Sequence, residues 1–279
     1  MARVAPVSES TTSFAPHLAA SPVSVSFVRG RNAVLVRGEL GTLFVDYFLH
    51  LQDHVQPRDA GREKLLAEAL ALFTLHCAAR PRLEHIAWTL NLRSPRTNLF
   101  LVGDNEDCTV VGRYFTENVK EGEHNIFYCD TVPRRGAEPR RSVVQFDGAD
   151  VVRAVETFYR DSEQRPARYF ELGKDEHALL VAHPDCDLPW FHGITGEGVL
   201  NLPQTETLAL IERRAYRWQC GCTQEKILGV IAPAYRSDAE GLFGREELIR
   251  VQCPRCAAAH TLTREAMEAY IAQADRQKA

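Results

Sequence analysis

Four cysteines toward the C-terminal end constrain this chain more than any other feature. They stand as Cys220-Gly221-Cys222 and Cys253-Pro254-Arg255-Cys256, with 30 residues between the pairs. Two close thiol pairs are what a tetrahedral four-thiolate zinc site requires, because each knuckle gives two sulfurs to one side of the ion and the chain between them folds back to close the cage. The second pair has the CxxC spacing of zinc ribbons; the single residue inside the first is unusual for a purely structural ribbon. A closed cage keeps no open coordination position, so hydrolytic zinc chemistry is not expected. The site is then structural or redox-sensitive, with one Zn2+ per chain as its cofactor.

A disulfide framework is the rival reading of the same thiols. The segment MARVAPVSESTTSFAPHLAASPVSVSF has no charged start followed by an apolar core, and no stretch is long enough to span a membrane. Stable disulfides are uncommon in reducing cytosol, so a cytoplasmic protein with thiols reduced at rest is expected. With 45% hydrophobic and 25% charged residues, 279 residues can bury a large core. A net charge of −4 does not favour nucleic acid. The sequence contains no internal repeat, P-loop or dinucleotide fingerprint.

The pattern along the chain predicts an α+β architecture in four parts. Residues 1–22, rich in Ser, Thr, Ala and Pro, read as a flexible tail. Residues 23–182 read as the core domain. Strand-like VSVSFVRG and AVLVRGEL open it, and a helix over 62–79 has Leu65, Leu66, Leu70, Phe73 and Cys77 at helical spacing. Strand candidates IAWTLNL, NLFLVGD, CTVVGRYF, HNIFYCDTV and SVVQF follow, then a helix over 148–161 with Val151, Val152, Val155, Phe158 and Tyr159 as its stripe. Residues 183–219 read as a Pro- and Gly-rich linker ending in an amphipathic helix over TETLALIERRAYRW, with Leu208, Ile211 and Ala215 on one face. Residues 220–279 form the cysteine module. Thr223 caps a helix that Pro233 ends, and Thr263 caps a last helix bearing Met267, Tyr270, Ile271 and Ala274. So small a module needs the metal to fold.

The order of these motifs resembles the heat-shock protein 33 family of redox-regulated holdase chaperones. The CxC–CxxC module is similar to the family's zinc module, Ser162-Glu163-Gln164 with Pro166 to its helix-ending turn, and Val36-Arg37-Gly38-Glu39-Leu40 to its N-terminal strand signature. The linker to Cys220 is shorter than the family's, which makes this a divergent member. The resemblance implies an ATP-independent chaperone rather than an enzyme. It binds unfolding proteins under oxidative stress after zinc release, and its oxidised form pairs as a homodimer. It also implies disulfides within each motif, Cys220–Cys222 and Cys253–Cys256. Zinc-bound thiolates stay nucleophilic toward peroxide or hypochlorous acid, so such a switch is chemically sound.

Cys77, Cys108 and Cys129 read as small buried hydrophobes. Cys186 lies near His183, Asp185, Asp187 and His192, but the spacing fits no common ligand pattern, and a polar loop is the better account. His260 could replace a thiolate, although four cysteines already complete a tetrahedron. No Gly-x-Ser-x-Gly elbow or Ser-His-carboxylate order accompanies Ser162, so a turn with Glu163 and Gln164 bonded to nearby backbone is expected. The basic run PRRGAEPRR reads as a solvated loop between strands. Trp190-Phe191 and Trp218 are linker latches or ordinary core residues. The alternative function is a zinc-ribbon module binding a protein or nucleic acid, with a purely structural metal; an enzyme would need a convergent acid/base set that the sequence does not show.

Overall fold

Alternating and continuous apolar runs build one mixed sheet that carries everything else. The computed structural model describes residues 20–54, 58–119 and 122–276. Ten strands enter the sheet: β1 (Ser21–Val28), β2 (Ala33–Glu39), β3 (His85–Leu92), β4 (Thr97–Asp104), β5 (Thr109–Phe115), β6 (Asn125–Val132), β7 (Arg140–Phe146), β8 (Ala167–Glu171), β9 (Glu176–Ala182) and β10 (Leu208–Trp218). Their spatial order is β7-β6-β3-β4-β5-β10-β1-β2-β9-β8. Neighbours are antiparallel except at the centre, where β5 and β10 run parallel and pair only through Thr109–Arg217 and Val110–Trp218. The tail expected over 1–22 falls on residues outside the described ones up to 19, and β1 begins at Ser21.

The two faces of the sheet explain its sequence patterns. β3 and β4 alternate half-buried and buried residues, as strands with one core face do. β2 and β9 carry continuous apolar runs, Ala33 to Val36 and Ala178 to Ala182, because these stretches are covered on both sides. Val36 and Leu179, which pair, join the main core, while their neighbours Leu35 and Leu180 join a second cluster on the opposite face.

Helices α1 (Gly41–His54), α2 (Ala60–Ala78) and α3 (Val151–Asp161) cover the main face. The side chain of Asp59 caps α2 by accepting from the Arg62 amide at 3.0 Å. From Ala69 onward every residue of α2 is buried, because it lies between the sheet and its neighbouring helices rather than at the surface. The core centres on Trp88, whose ring meets Phe73 at 5.0 Å and Phe127 at 4.9 Å edge-on. α3 ends where expected, and the Glu163 amide donates to the Phe158 carbonyl at 3.3 Å, while its side chain pairs with Arg80 at 2.9 Å.

Residues 183–219 differ from the reading as a helical connector. Three short helices, α4 (Leu188–Gly193), α5 (Gly196–Leu200) and α6 (Leu202–Thr205), lay Phe191, Ile194, Val199 and Leu202 on the second face of the sheet as a third layer. Arg168 donates to three carbonyls at the end of α4, and Arg31 bridges Asp187 and Glu206, fixing the layer at both ends. The segment expected as a helix over 205–218 is largely β10. Its inward residues are Arg214, Tyr216 and Trp218, at period two.

The C-terminal part forms its own cluster from α7 (Gln224–Ser237), α8 (Ala239–Phe243), the hairpin of β11 (Leu248–Gln252) and β12 (Ala259–Thr263), and α9 (Arg264–Arg276). Thr223 and Thr263 accept from the amides of Lys226 and Ala266, as expected of caps. Pro233 does not end α7, which runs one turn further. Contacts of that last turn hold it: Tyr235 meets Phe243 edge-on at 5.7 Å and donates to Glu268 at 3.1 Å.

Candidate metal centre

The end of β10 delivers the first knuckle and the β11–β12 turn delivers the second. Gly221 sits at φ +61, a left-handed bend that turns Cys220 and Cys222 toward one point. In the second knuckle the Cys253 amide donates to Ala258 at 2.8 Å and the Ala257 amide donates back to Cys253 at 3.0 Å. Ala257 takes the left-handed turn there, at φ +67.

These two turns bring all four sulfurs within 4.8 Å of one another. Two separations across the knuckles are 3.6 Å for Cys220–Cys253 and 3.6 Å for Cys222–Cys256. An ion bound to four thiolates at about 2.3 Å spaces its sulfurs about 3.8 Å apart, so the donor set and its spacing fit a tetrahedral zinc ion. All eight cysteines are free thiols. Crowding couples the four: hydrogen bonding from Cys220 holds Cys222 down at about 6 and Cys253 below the ordinary thiol range, and Cys256 is pushed up. Four thiolates at this spacing repel one another strongly, so full ionisation requires a cation among them.

The cage is embedded in the core on one side. Cys253 and Cys256 are each 2% exposed and belong to the main cluster, whereas Cys220 and Cys222 are half-buried at its rim. Two side chains from the sheet domain grip the second knuckle by its carbonyls. His50 of α1 donates to Cys256 at 2.7 Å, and Arg113 of β5 donates to Cys253 at 2.8 Å. Burial pushes the His50 ring toward neutrality and lowers the Arg113 guanidinium. Trp218, two residues before Cys220, lies against His50 at 4.3 Å and Tyr47 at 6.2 Å. Trp218 is therefore a core residue beside the cage, and Phe191 is a core residue of the opposite face.

The four cysteines expected as ligands meet as one group. His260, considered as a substitute, has its Nε2 3.4 Å from the Cys222 sulfur, in hydrogen-bonding range of a ligand atom. Lys226 of α7 donates to the Gly221 carbonyl at 2.8 Å. Cys77 and Cys129 are buried, and burial pushes their thiols up, that of Cys129 to about 11. Cys108 is only half-buried, at φ +51 just before β5. Among the described residues no metal-sized cluster forms around Cys186, since Asp187 caps α4 and pairs with Arg31. The sequence reading missed His50 and Arg113; each is a lone polar residue far from the knuckles along the chain.

No family model matches the chain. It is 25% identical over 261 residues to the 33 kDa chaperonin of Azotobacter vinelandii, covering 79% of this chain and 85% of that one. The 33 kDa chaperonin of Proteus mirabilis is 24% identical over 266 residues, 82% and 90% of the two chains. Among solved structures, the 33 kDa chaperonin (heat shock protein 33 homolog) of Thermotoga maritima has the same fold. It superposes with a TM-score of 0.69 at 12% identity, over 93% of this chain and 100% of that one.

Proposed function

We propose that this chain, a divergent relative of the 33 kDa chaperonins with the heat-shock protein 33 fold, is an ATP-independent holdase that oxidation switches on. The observation that supports this reading most directly is the four-thiol cage set into the core at the central seam of the sheet. The reading makes the chain a binding protein rather than an enzyme. Its partners are unfolding proteins, and a second copy when oxidised, in a reducing cytoplasm. Among the described residues no helix is long and apolar enough to cross a membrane, which suits that setting.

Cys220, Cys222, Cys253 and Cys256 would hold one zinc ion, which when bound supplies the positive charge that lets all four stay thiolates. His50 and Arg113 fix the second knuckle against α1 and β5, and the β10 ladder fixes the first. Oxidation of the thiols removes the ligand set, and with it the main cross-link between α7–α9 and the sheet. Once the module opens, sulfurs 33 and 34 residues apart no longer stay close, whereas those inside one knuckle do. That favours disulfides Cys220–Cys222 and Cys253–Cys256 in the oxidised form. Surface freed at Trp218, Tyr47 and the cluster around Ile227, Phe243 and Met267 is apolar and suited to unfolded chains.

The test measures zinc release and suppression of aggregation of a heat-unfolding client in one sample, before and after peroxide or hypochlorous acid. Release of one zinc with a gain in holding, both reversed by a thiol reductant, is expected. Zinc retained, or lost without any gain in holding, refutes the switch and leaves a structural metal module.

A further inference from the structure

Beside the cage lies a cavity of about 590 Å3, within the range of small-molecule sites. Cys220 and Gly221 line one part of it, and Arg217, Lys226 and Arg255 bring cations from β10, α7 and the second knuckle. Its two carboxylates, Asp104 and Asp107, are already engaged by Arg135 at 3.5 and 3.2 Å. Asp104 also meets His85 at 3.2 Å. Among the described residues neither Arg217 nor Arg255 has an ion-pair partner, and Lys226 donates only to a neutral carbonyl. The cavity is thus positive in a chain whose net charge is −4. Unpaired guanidinium groups are the side chains best shaped to take carboxylates. The one reactive group in the lining is the Cys220 thiol, and the space is far larger than peroxide or hypochlorite needs.

We infer that this cavity docks a carboxylate-bearing low-molecular-weight disulfide against Cys220, so that the closed protein senses disulfide stress as well as peroxide. This rests on the proposed redox reading and names a class of oxidant for it. The Cys220 sulfur forms a bond to one sulfur of the bound disulfide, whose S–S bond breaks to release one small thiol. Cys222 then attacks the Cys220 sulfur and expels the second small thiol, leaving the Cys220–Cys222 disulfide. Two electrons pass from the cysteine sulfurs to the small disulfide, which leaves as two small thiolates that take their protons from solvent, because zinc-bound cysteines carry none.

The experiment compares oxidised glutathione, a polycarboxylate, with cystamine, a dication, on the full reduced, zinc-loaded chain. Adduct and disulfide formation at Cys220 is followed by mass spectrometry, and each rate is divided by that of the same chain unfolded in urea. The folded chain should prefer oxidised glutathione by about tenfold or more at low salt, and the preference should collapse as salt rises. Arg217→Gln with Arg255→Gln should bring the preference to about 1, while the paired lysine substitutions keep most of it. A native preference near 1, or one that survives the glutamine pair, overturns the inference. Charge-selective modification without any gain in holding retains the cavity and rejects the chaperone reading. Peroxide-induced holding with no charge preference does the opposite.

Discussion

Replacing Arg113 with Met should loosen the metal without unfolding the sheet. Arg113 donates to the Cys253 carbonyl at 2.8 Å and stacks over Phe115 at 4.2 Å. A hydrogen bond from a charged donor contributes about 1.5–3 kcal/mol, and the ring contact about 0.5–1 kcal/mol. Against this stands desolvation: the Arg113 Nε is buried without a partner among the described residues, which costs about 1–3 kcal/mol. The Cys253 carbonyl keeps a second donor, the Ala257 amide at 3.0 Å, so no orphaned acceptor is left behind. The net loss is about 1–2 kcal/mol, equivalent to about 5–30-fold in an equilibrium. Zinc transfer from the reduced protein to a chromogenic chelator should show it as a shift in retention of roughly the same factor. The near-ultraviolet signal of the buried Trp88 should stay unchanged. Retention within about twofold of the native chain would refute the claim that the sheet domain grips the second knuckle through this residue.

Three further outcomes follow from the same geometry. Chelating the metal in reductant should melt α7–α9 while the sheet stays folded. In hydrogen exchange the Arg217 and Gln219 amides, which donate to Cys108 and Val110, should lose protection while the β1–β10 ladder keeps it; protection retained at both would contradict this. Gly103→Ala places a methyl 2.6 Å from the Cys77 sulfur and 3.2 Å from the Phe73 ring, so it should cost about 1–3 kcal/mol in urea unfolding, with Cys77→Ala restoring most of the loss. His76 is buried against Tyr159 at 2.7 Å, and burial holds its pKa well below 6.5. The unfolded chain therefore takes up a proton below that pH and the folded one does not. Stability should fall by about 1.4 kcal/mol per pH unit on acidification below about 6.5, and His76→Phe should flatten that part of the urea-midpoint profile.

What is legible in the sequence is what is local. The strands from 85 to 146 and helices α2 and α3 carry their periods in consecutive residues, and the knuckles carry their chemistry in three or four. β10 hides its period because an inward position is charged. Arg214, 5% exposed, donates to the Cys77 and Arg80 carbonyls that end α2, so a charge marks the core face while Leu210 and Ile211 face solvent. The helical spacing of Leu208, Ile211 and Ala215 then reads as a stripe. The third layer hides for a related reason: its helices have four to six residues, too short to show a period, and their apolar anchors sit among Pro and Gly. Pro233 misleads because tertiary contacts of Tyr235 outweigh a local break. His50 and Arg113 reach the cage from 206 and 140 residues away, and no spacing rule spans such distances.

The place of β10 changes where a redox signal would act. A flexible linker, as the composition of residues 183–219 suggests, would uncouple the cage from the core. Instead the strand that ends at the cage pairs with β1 from Leu208 to Tyr216 on one side and with β5 through Arg217 and Trp218 on the other. The two halves of the sheet therefore meet at their thinnest pairing beside the cysteines. Trp218 lies in that pairing and also against His50, which holds Cys256. Under the proposed function, dismantling the cage removes support from this seam first, while the antiparallel ladders β3–β4 and β1–β2 are held by pairing along whole strands. The switch proposed for this chain then acts through the end of a central strand and the helices beyond it, not through the connecting segment.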